Sequence, residues 1–180
     1  MVLKNIVLEV GIPEGVEVNI QGSLLNIKGK NGGIERDFYH PKISIQKLNN
    51  NIKIEGKKLN SRERIVVPTF RSLISNSIKG VTNPYVYKLK ICSGHFPIKV
   101  GMENGKFVIR NLFGEKVPRI VNIPKNVKVN ISSNEVSIES VDKEAAGQTA
   151  VKIERSAIRP GFDKRVFQDG IYIIKKADEE

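Results

Sequence analysis

One cysteine, Cys92, stands alone among 180 residues. A single thiol forms no internal disulfide and builds no thiolate zinc cage. Long apolar runs are also missing. The longest, such as Ile65-Val66-Val67 and Ile171 to Ile174, fall far below the ~18 residues a membrane span needs. The chain opens Met1-Val2-Leu3-Lys4-Asn5, with no apolar core of signal-peptide length and no small-residue cleavage site, so a soluble intracellular protein is expected. Asn130-Ile131-Ser132 then reads as a chance glycosylation triplet. Histidine is scarce too. His40 and His95 are far apart, and neither has a metal-ligand neighbour at the usual spacing. Cys92 precedes His95 by three residues but closes a strand, where a packed thiol is favoured over a nucleophile. Gly29-Lys30, Gly56-Lys57 and Gly105-Lys106 are not followed by the Ser or Thr of a phosphate loop. No catalytic constellation, metal, cofactor or small-molecule substrate is expected.

Positive charge is what the sequence has in plenty. Lys and Arg number 30 against 19 Asp and Glu, a net charge of +11. Such an excess points to a polyanionic partner, nucleic acid first and an anionic membrane surface second. With 39% apolar and 27% charged residues, the chain can bury a core and is not disordered by composition. Its length fits one domain or two small ones.

Apolar residues recur with period two over short stretches. Val16, Val18 and Ile20 alternate with polar neighbours; so do Ile43 and Ile45, Ile52 and Ile54, and Val127, Val129 and Ile131. Each reads as a strand with one face buried and one wet. Turn residues separate them at Gln21-Gly22-Ser23, Gly29 to Gly33, Asn49 to Asn51, Glu103-Asn104-Gly105 and Ser132-Ser133-Asn134. A first helix is predicted through Thr69 to Lys79, with Phe70, Leu73, Ile74 and Ile78 on one face and Gly80 just past its end. Asn60 and Glu63 have capping-box spacing, which would start it earlier. Pro68 implies either a kink or a place in the true first turn. A second helix is predicted from Lys143 to about Ala157, burying Ala146, Ala150, Ile153 and Ala157. Gly147 costs it about 1 kcal/mol against alanine, so close packing is expected there.

These elements occur twice in the same order. A shift of 84 lays Ile43, Ile45, Ile52, Ile54 and Glu55 on Val127, Val129, Val136, Ile138 and Glu139, and Arg71-Ser72-Leu73-Ile74 on Arg155-Ser156-Ala157-Ile158. A rival shift of 111 lays Ile12-Pro13 and Val16 to Ile20 on Ile123-Pro124 and Val127 to Ile131, but sets the hairpins at unequal distances from their helices. The first shift is preferred. The expected fold is α+β: a tandem duplication of a small unit, each an antiparallel or mixed sheet with one covering helix, at residues 1–81 and 82–180.

The charge divides unevenly once placed. Residues 1–80 hold 13 basic and 7 acidic groups, and residues 81–180 hold 17 and 12, but Asp178, Glu179 and Glu180 crowd the end. Without that tail the second unit is the more basic. Its cations gather in two places. Lys88, Lys90, His95, Lys99, Lys106, Arg110, Lys116 and Arg119 lie among Gly, Phe and Asn. Arg155, Arg159, Lys164 and Arg165 lie beside Pro160-Gly161-Phe162 and Phe167. In the Tyr85–Ile91 strand, Lys88 and Lys90 share the face opposite the tyrosines. Arginine forks suit phosphates, and a Pro-Gly break lets backbone approach them. No RNP aromatic pair, GXXG loop or Cys-His finger is present, so recognition by shape and backbone is expected.

Thr69-Phe70-Arg71-Ser72-Leu73-Ile74-Ser75-Asn76, continuing to Gly80-Val81-Thr82, resembles the first-repeat signature of ribosomal large-subunit protein six. His95-Phe96-Pro97-Ile98 with Ile109-Arg110-Asn111-Leu112-Phe113-Gly114-Glu115-Lys116 is similar to the archaeal and eukaryotic branch of that family. Ala146-Gly147-Gln148 with Arg155 resembles the family's second-repeat helix, and Asp163 to Tyr172 resembles that branch's C-terminal segment. The resemblance implies a tandem α+β duplication without enzymatic activity. It implies a place on the cytoplasmic ribosome beside neighbouring large-subunit proteins, and binding to large-subunit ribosomal RNA, chiefly through the second unit, near the sarcin–ricin loop where translation factors dock. RNA contact is carried by that resemblance onto Arg110, Lys116, Arg155, Arg159, Lys164 and Arg165; charge placement adds Lys88, Lys90, His95 and Arg119. Pro68 and Ser77 depart from the family's first helix, where many relatives have Gly and Met. Two other readings stay open on the residues alone: a free RNA-binding assembly factor on the same duplicated unit, and a module that docks a protein partner.

Overall fold

The structure, a computed structural model, describes residues 4–163 and 165–177. It divides into two compact units, Met1–Pro84 and Tyr85–Glu180. The first contains β1 (Lys4–Gly11), β2 (Glu17–Gln21), β3 (Leu24–Gly29), β4 (Gly32–Asp37), β5 (Ile43–Leu48), β6 (Asn51–Leu59), a 3-10 turn at Glu63–Ile65 and α1 (Val66–Thr82). The second contains β7 (Tyr85–Cys92), β8 (Lys99–Glu103), β9 (Lys106–Arg110), a 3-10 turn at Leu112–Gly114, β10 (Arg119–Asn122), β11 (Val127–Ile131), β12 (Glu135–Ser140), α2 (Lys143–Ser156) and β13 (Gly170–Lys175).

All pairings are antiparallel, and the two units share one topology. The first has sheets β1-β6-β5 and β2-β3-β4; the second has β7-β12-β11 and β8-β9-β10, with β13 added on the outer edge of β7. The fold is α+β, a duplicated sheet-and-helix unit. The strand match at 84 agrees with this topology, because β5-β6 and β11-β12 hold equivalent places. The rival match at 111 sets β2 on β11, strands that belong to different sheets of their units. Alternation fixes which face is covered. Ile52, Ile54 and Leu59 in the first unit, and Leu89, Val136 and Ile138 in the second, are fully buried; each such side chain contributes about 1.5–3 kcal/mol of hydrophobic stabilisation.

The helices depart from expectation in two ways. First, α1 runs through Gly80, which is buried, and ends at Thr82, with Asn83 as its extended cap residue. It continues because the β3–β4 turn caps it: the Asn31 backbone N–H donates to the Val81 carbonyl at 3.2 Å and Asn31 Nδ2 to the Thr82 carbonyl at 2.5 Å. At its start the Asn60 N–H donates to Glu63 Oε2 at 2.7 Å ahead of the 3-10 turn, but the α-helix itself begins at Val66 without a side-chain cap, and Pro68 lies in its first turn. There its missing N–H costs nothing. Second, the helices do not follow the strands' shift. The buried or half-buried pairs Val67 and Ala146, Phe70 and Thr149, Ile74 and Ile153, and Ile78 and Ala157 are each 79 apart. The link from β12 to α2 is simply shorter than that from β6 to α1, so the Arg71–Ile74 match to Arg155–Ile158 is not structural. In α2, Asp142 caps the start by accepting from the Glu144 N–H at 3.0 Å. A Cβ on Gly147 would lie 3.1 Å from the Tyr87 hydroxyl, the close packing its glycine implied.

Candidate nucleic-acid interface

Three loops of the second unit meet around the C-terminal end of α2: residues 93–98 after β7, residues 111–118 between β9 and β10, and residues 157–169 between α2 and β13. Each is fastened to another by a specific link. Asn111 Nδ2 donates to the Pro97 carbonyl at 3.1 Å, and the Phe96 ring fills the space beside Gly114, 3.3 Å from where a Cβ would stand. Phe113 adopts a left-handed backbone (φ 50°, ψ 32°). For a bulky side chain this costs ~1–2 kcal/mol. It turns the ring inward, 9% exposed, against Phe162 at 5.3 Å. Phe162 in turn meets Phe167 at 4.8 Å, and Phe167 meets the His95 ring at 5.3 Å. A row of aromatic side chains thus underlies all three loops.

The candidate cations fall into three groups. Arg119 and His95 are engaged within the protein. The Arg119 guanidinium forks onto Glu115, Nε to Oε2 at 2.9 Å and Nη2 to Oε1 at 2.6 Å, while Nη1 donates to the Ser156 and Ile158 carbonyls at 2.7 and 2.8 Å. Arg119 therefore closes the end of α2, whose last carbonyls have no helical partner. Its bond holds the Glu115 carboxyl below the usual carboxylate range. His95 Nδ1 lies 3.0 Å from Asp169 Oδ2, and its backbone N–H donates to Oδ1 at 3.0 Å. The Gly94 N–H donates to the same Oδ1. Burial pushes the Asp169 carboxyl up, but the amides of His95 and Gly94 and then the imidazole outweigh it and hold the group below the ordinary range. His95 is half-exposed at 49%.

Arg110, Lys116, Arg155, Arg159 and Arg165 form the second group, on or beside the loop cluster. Arg159 lies over the Phe162 ring at 4.3 Å, within cation–π range. The Asp163 side chain accepts from the Arg165 N–H at 2.9 Å, and its carbonyl from the Phe167 N–H at 2.9 Å. This turn sends Phe167 toward the aromatic row and leaves Arg165 exposed. Arg110 pairs with Glu103 at 2.7 Å, both about half exposed. Such an exposed pair is worth little. Lys116, Arg155 and Arg165 are exposed, and their side chains have no partner among the described residues. Lys164 lies outside the described residues, as do Asp178, Glu179 and Glu180.

Lys88 and Lys90 form the third group and do not join the cluster. They stand on the open face of the four-stranded sheet, opposite Ser137 and Glu135 of β12, with Glu139 on the same strand. Carboxylates so close dilute their field. Sequence reasoning missed Asp169 and Glu115, the acidic members that hold the basic loops. Asp169 is only 2% exposed, yet it bonds residues more than seventy positions earlier, which no local pattern reveals. Among the described residues no group of His, Cys, Asp or Glu is placed to hold a metal ion, and no helix is long and apolar enough to cross a membrane.

The family described as ribosomal protein L6 matches residues 12–83. The large ribosomal subunit protein uL6 of Nanoarchaeum equitans is 41% identical over 177 residues, covering 94% of this chain and 92% of that protein. The uL6 of Sulfurisphaera tokodaii is 41% identical over 169 residues, covering 93% and 91%, and that of Methanothrix thermoacetophila 37% identical over 174 residues, covering 97% and 99%.

Proposed function

The chain belongs to the uL6 family of large ribosomal subunit proteins, and we propose that it binds large-subunit ribosomal RNA through the loop cluster of its second unit, near the sarcin–ricin loop and the factor-binding region. As a family member it is a structural, non-enzymatic component of the ribosome in the cytoplasm. Neighbouring large-subunit proteins are its further partners. The observation that supports the RNA reading is the placement of Lys116, Arg159 and Arg165 on, and of Arg110 and Arg155 next to, loops that are fastened to one another. Arginine forks and an exposed lysine on a firm apolar base suit contact with phosphates in a fixed arrangement. The open sheet face, with Lys88 and Lys90 beside Glu135 and Glu139, is secondary.

An RNA crosslink map on intact large subunits tests this. Crosslinks should concentrate at residues 110–119 and 155–169, and the protein should stay on the subunit through a moderate-salt wash. For about six phosphate contacts, log affinity should fall with log salt at a slope of about −4 to −5. Crosslinks centred on Lys42 and Lys53 of the first unit, or a protein recovered only from the free pool, would overturn it.

A further inference from the structure

We propose that Asp169 is a positioning residue for RNA binding: its buried carboxylate fixes, before RNA arrives, the loop that carries Arg159 and Arg165. This rests on the reading of that loop cluster as the RNA face. Asp169 touches no solvent that RNA could reach, since its side chain is fully buried. A buried carboxylate in a protein that binds a polyanion is doubly unfavourable. It costs desolvation, and its charge repels the partner. Its place is explained by what it joins. The loop of residues 157–169 is tied down at both ends. At its start Arg119 binds the Ser156 and Ile158 carbonyls. At its end Asp169 accepts from the amides of Gly94 and His95 and from the His95 ring.

Between these anchors the loop is pinned by aromatic contacts, and the last of them depends on Asp169, because Phe167 rests on the same His95 ring. Ordering backbone on binding costs conformational entropy, and a loop already ordered does not incur that cost. Release of the Asp169 anchor would leave the arginines on a looser span, held only by the Arg119 contacts at its start and by the pairing of Gly170 with Cys92 where β13 begins. They would then reach the same phosphates only after losing that freedom.

Charge and positioning predict opposite signs, which makes the idea testable. Removing one negative charge from a protein of net charge +11 should tighten RNA binding if charge alone matters. Binding of the full chain to deproteinised large-subunit ribosomal RNA would be measured against salt for wild type, Asp169→Ala, Asp169→Asn and Glu14→Gln. Glu14 is exposed in the first unit and carries the same charge change without the anchor. Asp169→Ala should weaken binding about tenfold. The salt slope should stay unchanged, because the phosphate contacts re-form once bound. Asp169→Asn keeps the shape and one acceptor oxygen and should weaken binding about threefold. Glu14→Gln should not weaken it.

Hydrogen exchange at Leu89 and Ile138 reports whether the core of the second unit survives Asp169→Ala. If it does not, the asparagine variant decides. Asp169 variants that bind as tightly as wild type or tighter would overturn the proposal. So would a weakening accompanied by a shallower salt slope, since the contacts themselves would then be lost. No binding by the wild-type chain would instead overturn the RNA reading beneath it.

Discussion

Both units close the end of their helix with the hairpin of their smaller sheet, but they do so at different reach. In the first, β3 and β4 are joined by Lys30 and Asn31, and Asn31 alone caps α1. Gly29 lets the hairpin come this near: a Cβ there would lie 2.8 Å from Val81 Cβ. In the second, β9 and β10 are joined across residues 111–118, and a long arginine, Arg119, spans the distance to α2. The chain then makes a further loop before returning as β13. The second unit thus adds the longer 111–118 and 157–169 loops at this end of its helix, and β13 along the edge of β7. Polar links also do different work. In the first unit Lys42 latches Glu63 at the start of α1, and Lys53 and Lys57 flank Glu55 on the sheet. In the second, Arg119 and Asp169 hold loops in place while Lys116, Arg155 and Arg165 remain exposed. One duplicated scaffold thus carries a closed end in one copy and a built surface in the other.

Breaking each closure is the strongest test of that contrast. Arg119→Ala leaves Glu115 without its fork and two carbonyls uncapped, an expected loss of about 2–3 kcal/mol. Gly29→Ala forces side chain and backbone apart at Val81, an expected loss of about 1–3 kcal/mol. Amide hydrogen exchange should show α2 losing protection in the first variant and α1 in the second. RNA affinity should fall only with Arg119→Ala. If Gly29→Ala weakens RNA binding as much, the division between a closed end and a binding end is wrong.

Acid should separate the same two loop systems. The Asp169 carboxyl is held below its ordinary value in the folded protein. A depressed carboxylate stabilises the fold above its unfolded pKa, ~3.9, and this contribution is lost as pH falls through the lower folded value. The second-unit anchor should therefore persist through mild acid and release only below about pH 4. NMR amide shifts of Gly94 and His95 would report it. Glu63 is lowered first by the Asn60 N–H and then by Lys42, so the α1 start should follow the same sign, but it lies at the surface and should report only locally. Amides at Gly94 and His95 that titrate above pH 5 would contradict the depressed carboxyl.

Much of the fold was legible because burial is periodic. Ile52, Ile54, Val136 and Ile138 alternate with polar neighbours, and that alternation alone marks the strands and their repeat. The ends of α2 were legible, but the end of α1 was not, since Gly80 reads as a stop until Asn31, nearly fifty residues upstream, supplies the missing cap. The repeat of the helices was blurred by unequal links, so the identity of Arg71-Ser72 with Arg155-Ser156 misled. The basic loops were legible as composition, but composition could not separate Arg119 and His95, which are consumed within the protein, from Arg155 and Arg165, which are not. That distinction depends on Glu115 and Asp169, and in a basic protein an isolated carboxylate draws no notice.

The smallest expected effect concerns how closely each helix sits on its sheet. Gly147 in α2 and Pro68 in α1 occupy equivalent positions, 79 apart. Pro68 is accepted because the first turn needs no N–H from it. Gly147 is accepted because Tyr87 stands over it, its hydroxyl 3.1 Å and its Cζ 3.4 Å from a would-be Cβ. Alanine at 147 should gain about 1 kcal/mol of helix propensity. Against that, the tyrosine hydroxyl must move by a few tenths of an ångström, and it is the far end of a side chain rather than backbone. The two terms nearly cancel, so Gly147→Ala should shift the melting temperature by less than about 4 °C. A gain of the full propensity term would mean that Tyr87 yields freely and that α2 is seated no more tightly than α1. A loss several times larger would mean that the ring is locked, and that the contact between Tyr87 and Gly147 helps to seat α2.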